Sequence, residues 1–155
     1  MSTASSVEVV IKRAIVLEEE AAAMYSAAAA AVKALPVRER LLEMAEQERG
    51  HKAKLEDVLA GNVRWAIRRS QAEPIQDLRL SDHLEAKELD ANADYQDVLL
   101  MAARREKTAY DFYKAMAELV DDKLVRDVFE MLANEELRHK NLVEKTYEEI
   151  VYQEF

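Results

Sequence analysis

Two Glu-x-x-His motifs, Glu48–His51 and Glu136–His139, are each preceded by a glutamate 30 residues before their own, Glu18 and Glu106. Displacing the chain by 88 residues lays Glu18 on Glu106, Glu48 on Glu136, His51 on His139, and Tyr25 on Tyr113. Positions i and i+3 of a helix project from one face, so each motif offers a carboxylate oxygen and an imidazole nitrogen to the same point. All six residues interrupt apolar helical stripes, where an uncompensated carboxylate is expensive to bury. Two divalent cations would balance the four carboxylates and leave the histidines neutral. A carboxylate can hold one ion or bridge two that lie about 3.5–4 Å apart. Oxygen and imidazole donors without thiolate suit iron or manganese, with zinc a further occupant.

A single Glu-x-x-His carries little information, since 21 glutamates and three histidines in 155 positions produce roughly 0.4 by chance. Two copies in register, each with an upstream glutamate on the apolar stripe, carry far more. The bland alternative is a set of surface glutamates such as Glu19, Glu20, Glu46 and Glu135, which lie off the stripes or at their margins. His51 and His139 read as ligands rather than hydrogen-bonded core histidines because each has a glutamate one turn back. Tyr25 and Tyr113 stand two turns beyond Glu18 and Glu106. Two readings are open for them: core aromatics with satisfied hydroxyls, or hydroxyls that bond a ligand carboxylate from behind.

The elements that must position these residues follow from the apolar spacing. Val7, Ile11, Ala14, Ala21, Tyr25, Ala28, Val32 and Leu35 mark one face of a helix over about 6–35, with Ser5 or Ser6 as its N-cap. Pro36 ends it and suits the first turn of the next helix, about 37–60, whose stripe is Val37, Leu41, Ala45, Glu48, His51, Leu55 and Val58. Gly61 stops that helix. Periodicity is weak from Gly61 to Ala93, which reads as a long crossover with a short basic helix around Val63–Arg69. Asp94 and Asp97 mark a third helix over about 94–120, with Leu99, Ala102, Glu106, Ala109, Tyr113, Met116 and Val120 on its stripe. After an Asp121-Asp122 turn, a fourth helix over about 123–152 carries Val125, Phe129, Leu132, Glu136, His139, Val143 and Ile150.

In an antiparallel hairpin, residues at one level are equidistant from the turn. The midpoints of Glu18 with Glu48 and with His51 are 33 and 34.5, at the turn near Pro36. Those of Glu106 with Glu136 and with His139 are 121 and 122.5, at Asp121-Asp122. All six groups therefore belong at one level, roughly 20–25 Å from the turns. The expected fold is all-α: a four-helix bundle of two helical hairpins joined by the long crossover, with residues 1–155 as one domain.

Composition agrees. Two glycines and two prolines leave little to make the turns of a many-stranded fold. The net charge of −9 argues against nucleic-acid binding. The absence of cysteine excludes disulfides, thiolate zinc sites, iron–sulfur clusters and a rubredoxin-type module in these residues. No secretory signal or membrane-spanning segment is evident, so no membrane association and a cytoplasmic location are expected. Bundles of this size often pair, and a homo-oligomer, a dimer first of all, is expected. In the crossover, His83 reads as a surface residue and Trp65 as a packing or dimer contact. Arg64, Arg68 and Arg69 read as a solvated face or a docking patch for an acidic redox partner.

These motifs resemble the rubrerythrin branch of the ferritin-like superfamily along nearly the whole chain. The resemblance rests on Glu18-x-x-Ala21-x-x-Met24-Tyr25 with Ala45-x-x-Glu48-x-x-His51, and Glu106-x-x-Ala109-x-x-Phe112-Tyr113 with Leu132-Ala133-x-x-Glu136-x-x-His139. It implies two iron ions held by Glu18, Glu48, His51, Glu106, Glu136 and His139, with Glu48 and Glu136 as expected bridges and Glu18 and Glu106 as terminal or bridging ligands. It also implies oxidation by peroxide or dioxygen and recharging by an external electron-donor protein. The family's extra carboxylate one turn after the third-helix glutamate is replaced here by Ala109, which leaves a six-ligand, symmetric site. A di-iron oxidoreductase is the leading expectation, with ferritin-like iron storage or delivery as the alternative.

Overall fold

The computed structural model describes residues 3–62, 76–82, 84 and 94–153. Four helices account for most of them: α1 (Thr3–Ala31), α2 (Leu35–Leu59), α3 (Tyr95–Leu119) and α4 (Lys123–Gln153). Helix α1 packs along α2 and α3 along α4, and the two hairpins meet through α2 against α4 and α1 against α3. The protein is an all-α bundle of two hairpins. No helix among the described residues is long and apolar enough to cross a membrane.

Local chemistry sets the ends. The expected continuation of α1 to residue 35 does not occur: it stops at Ala31. Pro36 cannot donate to the carbonyl of Val32, and its ring would collide with it. Leu35, expected on the core stripe, instead begins α2 and is 62% exposed. Helix α1 already starts at Thr3, so Ser5 and Ser6 lie inside it rather than capping it. Gly61 adopts φ 90 beyond α2. There the amides of Gly61 and Asn62 reach the carbonyls of Val58 and Asp57, a Schellman closure that favours glycine. The Asp94 side chain accepts from the Asp97 amide at 2.9 Å, and Asp122 accepts from the amides of Leu124 and Val125. Both aspartates cap the helices that follow them.

The apolar core comes in two pieces. One lies around Ile11, Leu55, Ala117, Val125 and Phe129; the other around Ala21, Leu41, Ala45, Leu99 and Val143. On every helix the six polar residues of the motifs fall between these two clusters, in the middle of the bundle.

The described part of the crossover is bound to α3 and α4 by polar contacts. Lys140 is fully buried and donates to Asp77, Asp82 and Glu144 at 2.9, 3.0 and 3.0 Å. Glu144 also accepts from the amide and hydroxyl of Ser81, and Arg104 donates to the carbonyls of Ser81, Asp82 and Leu84. Asn141 closes the contact with Leu78 and Gln76. Val63–Arg69, Trp65 and His83, singled out above, lie outside the described residues.

Candidate metal centre

Each helix brings its polar residues to the same level. Glu18, Glu48, His51, Glu106, Glu136 and His139 are all buried. Their ligand-capable atoms form two groups that could each hold an ion: Glu18, Glu48, His51 and Glu136 in one, and Glu48, Glu106, Glu136 and His139 in the other. Within each group these atoms lie within 4.8 Å of one another. Glu48 and Glu136 belong to both, and His51 and His139 stack with ring centroids 5.5 Å apart.

One atom of each residue has no hydrogen-bond partner: Oε2 of Glu18 and Glu106, Oε1 of Glu48 and Glu136, and Nδ1 of both histidines. Buried polar atoms are rarely left so. These six converge. His51 Nδ1 lies 2.7 Å from Glu136 Oε1 and 3.6 Å from Glu18 Oε2, while His139 Nδ1 lies 3.6 and 3.7 Å from Glu48 Oε1 and Glu106 Oε2. Atoms that crowd together without bonding are arranged as donors around a common cation. The donor set, carboxylate and imidazole without sulfur, fits a pair of iron or manganese ions.

The other oxygen of every carboxylate is held from behind. The Tyr25 hydroxyl donates to Glu106 Oε1 at 2.7 Å, and the Tyr113 hydroxyl donates to Glu18 Oε1. Each tyrosine thus serves the carboxylate of the opposite hairpin. Burial, and then the charge of the carboxylate each one faces, raises both phenols well above their ordinary range, so they remain donors.

Glu48 and Glu136 are held by a residue the sequence reading passed over. Arg105 Nη1 lies 3.0 Å from Glu48 Oε2 and 2.8 Å from Glu136 Oε2, while Glu106 and Glu18 follow at 3.7 and 3.9 Å. Burial alone would lower its affinity for a proton, but the charges of Glu136, Glu48 and Glu106 outweigh this and keep it cationic. A signal was present: the 88-residue displacement lays Arg105 on Leu17, a break in an otherwise matched site. Glu135 was also misread as a surface residue. It is half-buried, 2.5 Å from His51 Nε2 and 3.0 Å from Lys54, which turns the Nδ1 of His51 toward the cluster. Burial pushes the Glu135 carboxyl up, but His51 and Lys54 overcome this and hold it at about 2.

Without a cation the four acids cannot all ionise. Burial, then the charge of Glu106, pushes Glu48 up to about 8, and burial with the charges of Glu106 and Glu48 pushes Glu136 well above its usual range. Glu18 and Glu106 are held low despite burial, by the proximity of Glu48 and His51 in one case and of Glu136 and His139 in the other. The pattern is alternate: the two shared acids are shifted up and the two flanking acids down. Both histidines are raised, burial notwithstanding, by their carboxylate neighbours.

A four-helix bundle with a doubled carboxylate–histidine cluster at its centre defines the ferritin-like class of helical protein. The chain matches the Rubrerythrin family over residues 10–88 and 97–154 and belongs to it. No curated protein and no solved structure matches the chain.

Proposed function

We propose that the protein is a di-iron oxidoreductase of rubrerythrin-like type, with Glu18, Glu48, His51, Glu106, Glu136 and His139 as the metal ligands. The observation that carries this reading is the convergence of six unpartnered atoms, one from each residue, into two groups that share Glu48 and Glu136. Glu18 with His51 would hold one ion and Glu106 with His139 the other, with Glu48 and Glu136 spanning both. Bound ferrous ions would supply two electrons for the reduction of peroxide or dioxygen.

The chain's own residues do the rest. Tyr25, Tyr113 and Arg105 fix the rear oxygens of the carboxylates, so the free oxygens stay aimed at the cluster. Glu135 fixes the ring of His51. The two core clusters pack the bundle with apolar side chains above and below the centre. With no cysteine in these 155 residues, the returning electrons would come from a separate donor protein.

The test begins with metal content of the protein purified without added metal, expected at two iron ions per chain. Stopped-flow mixing of the ferrous protein with peroxide, and separately with dioxygen, should show oxidation faster than that of free ferrous ion. Glu48→Gln removes a shared ligand and should abolish the fast phase. Equal rates with and without protein, or an unaffected Glu48→Gln variant, would end the oxidoreductase reading. Retention of iron far beyond two ions per chain would favour storage instead.

A further inference from the structure

Both histidines turn Nδ1 toward the centre, which leaves each Nε2 on the outer side of its ring. A cavity of about 260 Å³ borders the two rings, lined also by Gln47, Lys54, Glu135 and Arg138. What backs the rings differs. Glu135 of α4 reaches across to α2, with Oε2 2.5 Å from His51 Nε2 and Oε1 3.0 Å from Lys54 Nζ. The 88-residue displacement that matches the ligands lays Glu135 on Gln47 and Lys54 on Leu142. His139 therefore has a neutral amide at the position where His51 has a carboxylate. Among the described residues, no carboxylate lies within 4.0 Å of His139 Nε2; both ion-pair contacts of His139 run through Nδ1.

The other groups behind the ligands do not separate the two halves. Tyr25 and Tyr113 are matched, each bonded to the carboxylate of the opposite hairpin. Arg105 breaks the match with Leu17, but it sits evenly between the halves. It lies 3.0 and 2.8 Å from the two shared acids, and 3.9 and 3.7 Å from Glu18 and Glu106. The difference behind the imidazoles is the one that favours a side. A carboxylate at the outer N–H of a ligand histidine fixes the ring and makes its inner nitrogen a stronger donor. Removing such a partner typically costs about 10–100-fold in metal affinity.

We propose that the two metal positions are unequal, with Glu135 as the positioning residue that makes the one at Glu18 and His51 the tighter and the first to fill. This rests on the di-iron reading and adds an order of occupation to it. Lys54 takes one oxygen of Glu135 and leaves the other turned to His51. The ion at Glu106 and His139, whose ring lacks such a carboxylate, is the more readily exchanged. The six ligands are matched between the hairpins, and the inequality lies in what stands behind them.

The experiment gives the metal-free full chain one equivalent of Co2+ and reads the occupancy of each position by anomalous scattering from crystals. A calorimetric Co2+ titration in solution accompanies it. Wild type should hold the first ion at His51 rather than His139 by about tenfold or more. Two calorimetric steps alone do not decide the matter, since repulsion between two ions separates even equal sites. The occupancies do. Glu135→Gln should weaken the first step by about 10–100-fold and bring the two occupancies close together. Gln47→Glu, which offers His139 the same partner, should strengthen the second step and level the occupancies from the other direction. Equal filling in wild type, filling of His139 first, or a wild-type occupancy ratio in either variant would overturn the proposal. A wild-type chain that binds fewer than two ions would instead sink the di-iron reading beneath it, and the calorimetric stoichiometry reports this separately.

Discussion

His139 and Lys140 are adjacent in sequence and belong to two buried charged clusters of opposite design. Around Lys140 the protein balances itself: Lys140, Arg104 and Lys107 face Asp77, Asp82 and Glu144. Around His139, four buried glutamates face one arginine, and six of their and the histidines' atoms find no partner. The first cluster joins the crossover to the bundle and sets three cations against three carboxylates, with only one oxygen each of Asp77 and Glu144 left without a hydrogen-bond partner. The second leaves acid in excess and aims it inward, as a site built for a cation does. Burial of charge alone does not mark a functional site; the sign left over, and where the free atoms point, does.

The comparison breaks most sharply on adding metal. Two divalent ions should raise the melting temperature strongly, since each site filled at about 1,000 times its Kd contributes about 4 kcal/mol. Scanning calorimetry with metal and with a chelator checks this, and equal melting temperatures would contradict it. The effect has a pH face. A carboxyl raised from 4.5 to about 8, as in Glu48, stabilises the fold fully below 4.5 and loses that contribution as pH rises toward 8. The raised histidines act in the same direction. The metal-free protein should therefore weaken between about pH 5 and 8 while metal affinity grows, with protons released on loading. Calorimetry in buffers of different ionisation enthalpy counts those protons.

Lys140→Met probes the other cluster. Removing the cation leaves the buried Glu144 without an ion-pair partner and Asp77 and Asp82 with one more distant cation each, and should cost about 3 kcal/mol in urea unfolding. Metal content should stay at two ions per chain, because the central ligands are untouched; loss of metal would show that the clusters are one unit. The smallest expected effect is at the tyrosines. Tyr25→Phe and Tyr113→Phe each remove one hydrogen bond to a ligand carboxylate, for about 1–2 kcal/mol of metal-free stability. Metal affinity should fall about tenfold, read by chelator competition. Similar losses for both would support the matched hairpins, and a large difference would place the asymmetry of Arg105 deeper in the site.

Much of this was legible in the chain. Apolar steps of three and four, interrupted at Glu18, Glu48, His51, Glu106, Glu136 and His139, reflect helix periodicity, which is local. The turns at residues 32–34 and 120–122 fall at the midpoints computed from sequence. Helix ends were less secure, because the carbonyl that Pro36 blocks lies four residues before it, and Leu35 falls on the wrong side of the break. Glu135 was misread because it sits at a stripe margin, where only the neighbouring helix decides whether a side chain is covered.

By itself the sequence determined the helices, the hairpin registers and which six polar groups share a level, since all of these depend on spacing along one chain. Only the tertiary structure decided that Tyr25 serves Glu106 and Tyr113 serves Glu18, that Arg105 reaches the shared acids, and that Lys140 is buried against the crossover. Those contacts depend on how one hairpin is rotated against the other and how far a long side chain extends. Helical periodicity carries no record of either.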